Sequence, residues 1–297
     1  GFRGNGRKVS MRVTIIGGAG RMGRWLVHHF SSRGEEVTIS GLHLDKAKAL
    51  AEATGVKVAK NNVEAVKDAD LIVVSIPIQV TPKVISEITP HVRKGAVVAE
   101  ISSLKSSIID TMAKITESGG RPLSIHPLFG PGTQKLKGKK IAVIPLVDPE
   151  TEINLTKEIF PEAEITAVDA EDHDRAMALS LSLPHFINLV FASIVGEEDL
   201  MTLKKLGGIT FTLQLTLAES VMSEDPALQA SIQMENKYVS NHLALFLKKA
   251  KAVKTWVTKG DKEEFIAHYN RVRSSLFQDA DFQRAYERIY KALETLQ

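Results

Sequence analysis

The chain has 297 residues, a length that suits two domains better than one. Hydrophobic residues make up 43% of it and charged residues 25%, which allows a full core, and the net charge of +3 gives no reason to expect a nucleic-acid partner. The chain contains no cysteine, which excludes disulfides, zinc–thiolate sites, iron–sulfur clusters and thiol catalysis and fits a cytoplasmic location.

The first ten residues are basic and rich in glycine, and they lack the apolar stretch of a signal peptide. We interpret residues 1–10 as a disordered extension and expect the first domain to begin at Met11. No run in the sequence approaches the ~18 apolar residues of a membrane span, so we expect no membrane association.

Strand and helix patterns alternate from residue 11 to about residue 165. Strands are predicted over residues 11–16, 36–40, 71–76, 97–101, 122–125 and 140–145, with helices over 22–32 and 45–54 between the first of them. The run at 71–76 is apolar on both faces, as in the central strand of a parallel sheet. The alternation predicts a doubly wound parallel α/β sheet over residues 11–168.

The second part of the sequence contains helical patterns only. They cover about residues 170–195, 200–222, 226–252 and 261–296, with breaks at Gly207-Gly208, Asp225-Pro226 and Gly260-Asp261. We therefore expect an all-α domain over residues 169–297.

Two of these helical patterns, at residues 186–195 and 206–222, are apolar around much more than the ~100° stripe that one buried face requires. A domain of this size would leave part of that surface exposed, and large exposed apolar patches usually mark a partner. We expect a homodimer joined through the helical domain, because two-fold pairing of the same surface is the commonest solution. The alternative is that these are the central helices of a monomeric bundle.

A glycine-rich turn follows the first predicted strand, where Gly18, Gly20 and Gly23 form the pattern G-x-G-x-x-G. In this context Gly18 makes the turn, Gly20 lets the backbone approach a pyrophosphate, and Gly23 lets the following helix pack closely. Arg21 and Met22 lie in the first helical turn, whose amide groups and dipole favour phosphate. We expect a Rossmann domain that binds NADP or NAD.

The end of the second strand bears on the choice between the two nucleotides. An Asp or Glu there would hold the ribose 2′-hydroxyl of NAD, but residues 40–43 read SGLH, with no acid before Asp45. The missing carboxylate removes a repulsion against a 2′-phosphate, and Arg21, His43 and Lys46 are candidate cations for it. We expect NADP to be used at least as well as NAD.

The ends of three further strands carry polar or turn-forming residues, at the edge where ligands bind in such sheets. Ser75 and Pro77 are candidate cofactor residues. Dehydrogenation of an alcohol needs a base for the hydroxyl proton, and His126 suits this because the pKa of histidine lies near working pH. Ser103 would orient the substrate hydroxyl or the imidazole, and Lys105 would hold an anionic group. A packing role is the alternative for His126.

The sequence gives no sign of a metal centre. Its nine histidines do not pair at metal-ligand spacing, so we expect no catalytic metal. The substrate is therefore expected to be a small molecule oxidised with the nicotinamide nucleotide alone.

The segment His-Pro-Leu-Phe-Gly-Pro at residues 126–131 resembles the His-Pro-Met-Phe-Gly-Pro signature of the prephenate dehydrogenase family. The Ser103-x-Lys105 segment is similar to that family's Ser-x-Lys motif. Residues 173–177 and 183–186 resemble its entry into the helical domain. The resemblance runs from about residue 11 to the end of the chain.

This resemblance implies oxidative decarboxylation of prephenate, or of its amino analogue arogenate, in tyrosine biosynthesis by a dimeric enzyme. It implies that His126 is the catalytic base, that Ser103 is its hydrogen-bonding partner, and that His185 is a substrate-site residue of the helical domain. Pro184 frees a backbone carbonyl and kinks the helix, which would turn His185 toward the substrate. A buried core histidine is the alternative for His185.

One departure from the family matters. The family generally has an arginine in the next helix for the substrate carboxylate, whereas residues 210–221 contain none and Ser220 stands in its place. Losing a guanidinium from a carboxylate site is costly. Either the substrate differs or another cation substitutes, for which the candidates are Lys105, Lys204, Lys205 and Arg273.

Two other functions stay open. A β-hydroxyacid dehydrogenase or another two-domain reductase would share the glycine-rich turn but would not predict the segment at residues 126–131. A nucleotide-binding homologue that kept the fold and lost the chemistry would account for the absent arginine.

Overall fold

The computed structural model describes residues 10–295, which form two compact units divided between Met177 and Ala178. We call them the sheet unit and the helical unit. Residues 1–9, most of the predicted extension, and residues 296–297 lie outside the described residues. The division falls nine residues after the boundary predicted at residue 168, because the first helix after the sheet packs with the sheet unit.

The sheet unit is built on one eight-stranded sheet. Its strand order is β3-β2-β1-β4-β5-β6-β7-β8, with the crossover between β1 and β4 that defines the switch point of a Rossmann sheet. The strands are β1 (Arg12–Ile16), β2 (Glu36–Ser40), β3 (Lys57–Val58), β4 (Leu71–Val74), β5 (Val97–Glu100), β6 (Arg121–Pro127), β7 (Lys140–Ile144) and β8 (Glu164–Ala167).

The predicted parallel sheet needs one correction. Strands β6 and β7 pair antiparallel, whereas the other neighbouring pairs are parallel. The sequence also left out β3 and β8, which have two and four residues at the outer ends of the sheet. Strands this short contain too few residues to show a periodic pattern.

Helices cover both faces of the sheet. In β4, Leu71 and Val73 enter one core cluster while Ile72 and Val74 enter the other, which explains why this strand is apolar throughout. The helices are α1 (Arg21–Ser31), α2 (Leu44–Thr54), α3 (Asn62–Val66), α4 (Thr81–Ile88), α5 (Ile109–Ala113), α6 (Pro149–Ile159) and α7 (Ala170–Met177).

The helical unit begins with a π-helical segment, Ala178–Ser182, just before Leu183-Pro184. Proline lacks the N–H that would continue the helix ladder, so this wider turn is where the predicted irregularity lies. The α-helices that follow are α8 (Leu183–Val195), α9 (Leu200–Leu206), α10 (Ile209–Met222), α11 (Pro226–Met234), α12 (Val239–Lys259), α13 (Lys262–Leu276) and α14 (Ala285–Glu294).

The three predicted breaks are confirmed, and two more appear. Gly207 and Gly208 separate α9 from α10, Asp225 caps α11 through the amides of Ala227 and Leu228, and Gly260 ends α12 with φ +68°. The predicted helices at 226–252 and 261–296 are each divided further, at residues 235–238 and 277–284.

The helical unit leaves much of its apolar surface exposed. Of the 27 large apolar side chains that are exposed in residues 10–295, five lie in the sheet unit and the rest in the helical unit. Together, α7, the π-helical segment and α8 form one continuous helix over Ala170–Val195. By length and composition alone, this helix is long and apolar enough to cross a membrane. An apolar face that binds another protein has the same composition.

Candidate active site

The glycine-rich turn joins β1 to α1 and is closely packed. Gly17 has φ +85°, and a Cβ there would lie 2.7 Å from Ile76 Cγ2 and overlap the carbonyl of Ser75. The sequence assigned the turn to Gly18, but the residue that needs the left-handed conformation is Gly17. A Cβ on Gly23 would lie 2.8 Å from Gly18 Cα, so α1 approaches the turn as closely as expected for the third glycine.

Backbone hydrogen bonds fix this turn between the ends of two neighbouring strands. The Gly17 amide donates to Ser40 O over 2.8 Å, and the Ser75 amide donates to Ile16 O over 2.9 Å. Gly20 is the N-cap of α1, which leaves Arg21 and Met22 in the first helical turn. The space in front of the turn is therefore lined by backbone and suits a pyrophosphate.

The end of β2 carries no carboxylate. The Ser40 hydroxyl is buried and donates to Asn62 Oδ1 over 2.9 Å, and His43 is an exposed residue at the start of α2. Gly41 has φ +157°, a conformation that strains any side chain, so an acidic residue would fit poorly at this position. Pro77 follows β4 and accepts hydrogen bonds from the amides of Val80 and Thr81, which start the next helical turn.

His126 is the next-to-last residue of β6, at the same edge of the sheet as the glycine-rich turn. Its backbone is held by pairing with Ala142 of β7, and only 6% of the residue is exposed. Its Nδ1 lies 3.0 Å from His173 Nε2. Within residues 10–295 the other ring nitrogen, Nε2, has no hydrogen bond. It is also not one of the fully buried side-chain nitrogen and oxygen atoms that lack a partner, so it is not closed off from solvent. Nε2 is thus the atom that a substrate can reach.

Behind His126 lies a buried chain of polar groups that the sequence did not predict. His173 Nδ1 lies 2.9 Å from Asp174 Oδ1, and both residues belong to α7. The Asp174 carboxylate also accepts from the amides of Lys105 and Ser106, each over 2.9 Å, and from the Ser106 hydroxyl over 2.6 Å. These bonds attach α7 to the segment after β5.

Lys105 does not face solvent, as an anion-binding residue would. It is completely buried, and its Nζ donates to Glu100 Oε1 and to Ile125 O, each over 2.6 Å. Glu100 is also completely buried and accepts from the Ser102 amide over 2.8 Å and from the Ser124 hydroxyl. Lys105 therefore holds the end of β6, directly before His126.

Burial and charge shift the ionisation of these groups. Burial and the nearby charge of Lys105 hold the pKa of His126 well below its usual value; protonation of His173 would lower this pKa further, and Asp174 acts in the opposite direction. Burial also lowers the pKa of Lys105 against the attraction of Glu100. Burial acts to raise the pKa of Asp174, but hydrogen bonds from His173 and Ser106 outweigh it and hold this pKa below its usual value.

The structure shows no hydrogen bond between Ser103 and His126. Nδ1 of His126 is bound to His173, and within residues 10–295 the Ser103 side chain has no hydrogen bond. Ser103 is half-buried in the same segment as Lys105, at the edge of the sheet where His126 lies. Its hydroxyl is therefore available to a ligand.

His185 lies in the helical unit and belongs to a separate network. Its Nδ1 lies 2.9 Å from Gln229 Oε1, and the amide nitrogen of Gln229 donates to the Glu224 carboxylate. Since the amide nitrogen is engaged by the carboxylate, Gln229 presents its oxygen to His185, whose Nδ1 then carries the hydrogen. His185 is half-buried and not enclosed in a core.

The position of the missing arginine is exposed in α10, where Ser220 lies. Of the other candidate cations, Lys204 pairs with Glu219 over 3.1 Å, and Lys205 and Arg273 are exposed on α9 and α13. Lys105 is engaged by Glu100.

Two domain families match the chain. The nucleotide-binding domain of prephenate dehydrogenase matches residues 28–182, more than half of the sequence, and its dimerization domain matches residues 169–271. The chain belongs to the prephenate dehydrogenase family. The first match begins after the glycine-rich turn, so the assignment of that turn depends on its geometry in this member of the family.

Two curated relatives of this family member differ in how much of their length it covers. A probable arogenate/prephenate dehydrogenase of Methanocaldococcus jannaschii is 27% identical over 88% of this chain, which spans only 60% of that protein. A 4-amino-4-deoxyprephenate dehydrogenase of Streptomyces pristinaespiralis is 26% identical over 97% of this chain and 99% of that protein.

The fold is also found in a solved structure. The prephenate dehydrogenase of A. aeolicus, crystallised with hydroxyphenyl propionate and NAD+, aligns with a TM-score of 0.72 over 92% of this chain and 99% of that chain. At 18% identity, this likeness concerns the fold alone.

Proposed function

We propose that the protein is an NADP- or NAD-dependent dehydrogenase that oxidatively decarboxylates prephenate or arogenate in the formation of tyrosine. The observation that carries this proposal is the position of His126, whose Nε2 is open at the same sheet edge as the glycine-rich turn. The match to both prephenate dehydrogenase domains supports the substrate class.

The chain's residues fit a dinucleotide. Side chains at Gly17 and Gly23 would collide with neighbouring backbone, so the turn keeps the space that a pyrophosphate needs. Gly20, Arg21 and Met22 would hold the phosphates through backbone amides and the start of α1. When bound, the nicotinamide ring supplies the hydride acceptor.

His126 would accept the C4-hydroxyl proton of the substrate on Nε2 as hydride leaves C4. The ring carboxylate then leaves as carbon dioxide, its electron pair completes the aromatic ring, and His126 returns the proton to the phenolate oxygen. The net change is loss of hydride and carbon dioxide, which gives 4-hydroxyphenylpyruvate from prephenate or tyrosine from arogenate. Aromatisation drives this step, so no carbanion needs a metal.

Ser103 and His185 are the proposed substrate ligands. The Ser103 hydroxyl has no partner in the described residues and lies at the sheet edge, where it would bind the substrate hydroxyl. His185 would donate to a substrate carboxylate from Nε2 in its protonated form. Lys105 is proposed as a residue that holds the end of β6 and does not touch substrate.

Initial rates of nucleotide reduction and carbon dioxide release test the proposal. The assay crosses prephenate, arogenate and 4-amino-4-deoxyprephenate with NADP and NAD; the third substrate is included because the S. pristinaespiralis relative matches along its whole length. The proposal expects turnover of prephenate or arogenate with equal amounts of reduced nucleotide and carbon dioxide. Nucleotide binding without turnover of any of the three would support a homologue that has lost the chemistry.

We propose NADP as the preferred nucleotide, because β2 ends without a carboxylate and His43 and Lys46 are exposed at the start of α2. Gly41→Asp is a poor test, since φ +157° would strain the new side chain. The better test is His43→Ala with Lys46→Ala, which should weaken NADP binding and leave NAD binding nearly unchanged. A wild-type protein strongly selective for NAD would contradict this preference.

We also propose a homodimer formed through the helical unit, in the cytoplasm. The match to a dimerization domain and the exposed apolar residues of α8 and α10 support this assembly. It would also cover the apolar part of the helix at Ala170–Val195, which makes membrane insertion unnecessary to explain its composition.

A further inference from the structure

The Asp174 carboxylate is surrounded by donors. It accepts from two backbone amides, from the Ser106 hydroxyl and from the ring of His173, and it is 4% exposed. A protonated carboxyl has one acceptor fewer and cannot satisfy this set. Asp174 is therefore ionised, in agreement with the direction in which its pKa is shifted.

The charge on Asp174 determines which ring nitrogen carries the hydrogen, first in His173 and then in His126. A carboxylate only accepts, so His173 Nδ1 carries a hydrogen, and the neutral His173 ring has its lone pair on Nε2. The Nδ1 of His126, 3.0 Å from that lone pair, must then be the donor. This leaves the lone pair of His126 on Nε2, which is the nitrogen that a substrate can reach.

The charged groups around the two rings favour His173 as the place for a positive charge. The charge of Lys105 opposes an imidazolium at His126, and the carboxylate of Glu100 is engaged by Lys105 in a 2.6 Å ion pair. His173 lies 2.9 Å from the Asp174 carboxylate and 3.0 Å from His126. A proton that enters at His126 therefore gains stability when its charge moves to His173.

We propose that His173 and Asp174 are positioning residues that keep His126 in the Nδ1–H tautomer and receive its charge during the reaction. When a hydroxyl proton binds His126 Nε2, the Nδ1 proton passes to His173 Nε2, and the resulting imidazolium is paired with Asp174. The reverse transfer returns the proton to the product oxygen, so the chain is unchanged after each turnover. The identity of the proton source rests on the proposed function, whereas the tautomer does not.

Nitrogen NMR of ¹⁵N-histidine-labelled protein tests the tautomer without any substrate. The expected spectrum at neutral pH has hydrogen on Nδ1 and none on Nε2 for His126, assigned with His126→Asn. In Asp174→Asn the amide nitrogen can donate to His173 Nδ1, which reverses both rings and places the hydrogen of His126 on Nε2. A wild-type His126 with hydrogen on Nε2 would overturn the proposal.

Two substitutions at His173 separate orientation from charge uptake. His173→Gln keeps a hydrogen-bond acceptor for the Nδ1–H of His126 but cannot take up a proton. His173→Leu removes both the acceptor and the site for the proton. We expect His173→Leu to lower kcat by about 10²- to 10⁴-fold, the range for loss of a general base, and His173→Gln to lower it less. In both variants the acid limb of the pH profile of kcat/KM should move to lower pH. Without His173 to receive it, the proton's positive charge stays on the buried His126, which binds a proton only at lower pH.

The matched control is His91→Gln, which alters an exposed histidine outside this chain of groups and should leave the pH profile unchanged. The nucleotide affinity of each variant reports whether the sheet unit is folded. If Asp174→Asn does not fold, the two variants His173→Gln and His173→Leu still test the proposal. A fall in kcat with an unmoved acid limb would overturn the proposal. The expected tautomer without turnover of any substrate would instead count against the proposed function alone.

Discussion

In the sheet unit the apolar side chains of the strands are almost wholly buried, whereas α8 and α10 of the helical unit leave Leu189, Ile194 and Leu217 exposed. The charged groups follow the same division. The ion pair of Lys105 with Glu100 is completely buried, while that of Lys204 with Glu219 is half exposed. The sheet unit therefore has a fully buried core that fixes the position of His126, whereas the helical unit exposes apolar surface of the kind that usually binds a partner.

The largest effect on the stability of the sheet unit is expected from Gly17→Ala. The new Cβ would overlap the carbonyl of Ser75 in a left-handed conformation, so we expect a loss of roughly 3–5 kcal/mol in the free energy of unfolding and loss of nucleotide binding. Gly95→Ala is the matched control, since Gly95 has φ +81° but nothing within 4 Å. It should cost about 1–2 kcal/mol. Equal losses in urea unfolding would show that the turn is not closely packed.

The two ion pairs provide the next comparison. Lys105→Met leaves the Glu100 carboxylate buried without its partner, which should cost about 3–5 kcal/mol. The double change Glu100→Gln with Lys105→Met should recover most of that loss. Lys204→Met in the exposed pair should cost less than about 1 kcal/mol. If Lys105→Met proves as mild as Lys204→Met in urea unfolding, Lys105 does not hold β6.

The helical unit is tested by its oligomeric state. Sedimentation equilibrium at micromolar concentration should give twice the chain mass of 32.5 kDa for the wild type. Ile194→Lys, on the exposed face of α8, should shift it toward a single chain, because a buried lysine in a dimer contact lacks a partner. Val147→Lys, at an exposed apolar residue of the sheet unit, should have no effect. A wild type that sediments as one chain would refute the dimer.

The smallest expected effect is on the pH dependence of stability. Burial lowers the pKa of His29, whose Nε2 binds Ile159 O over 2.8 Å between the rings of Trp25 and Phe160. His29 takes up a proton near pH 6.5 in the unfolded chain and only at lower pH in the folded chain. Its contribution to the free energy of unfolding is therefore complete above pH 6.5 and is lost as the pH falls below that value. His126 contributes in the same direction, so His29→Phe should reduce the slope of urea midpoint against pH without abolishing it. An unchanged slope would contradict the assignment.

The sequence predicted the parts of the fold that depend on local pattern. The apolar runs located six strands, and Gly207, Asp225 and Gly260 located the helix breaks, because each acts through its own backbone. The glycine pattern and His126 were found at the edge of the sheet where the structure places them. The antiparallel β6–β7 pair was missed, since the direction of a strand depends on connections that periodicity does not record.

The contact of His126 with His173 was missed for a similar reason. The resemblance pointed to Ser103 and not to His173, which is 47 residues from His126 along the chain, and Asp174 is 69 from Lys105. Nothing local in the sequence marks which of nine histidines meets another. The compact units divide nine residues after the boundary predicted at residue 168, because His173 and Asp174 bind α7 to the segment after β5.

Our main proposal is that His126, held in place by the sheet unit, accepts the substrate's proton, and that His185 contributes to substrate binding. The most direct measurement is the steady-state kinetics of His126→Asn and His185→Asn, two matched substitutions in the two units. We predict that His126→Asn lowers kcat by about 10²- to 10⁴-fold with nucleotide affinity nearly unchanged, and that His185→Asn chiefly raises KM. An unchanged kcat in His126→Asn at saturating substrate would contradict it.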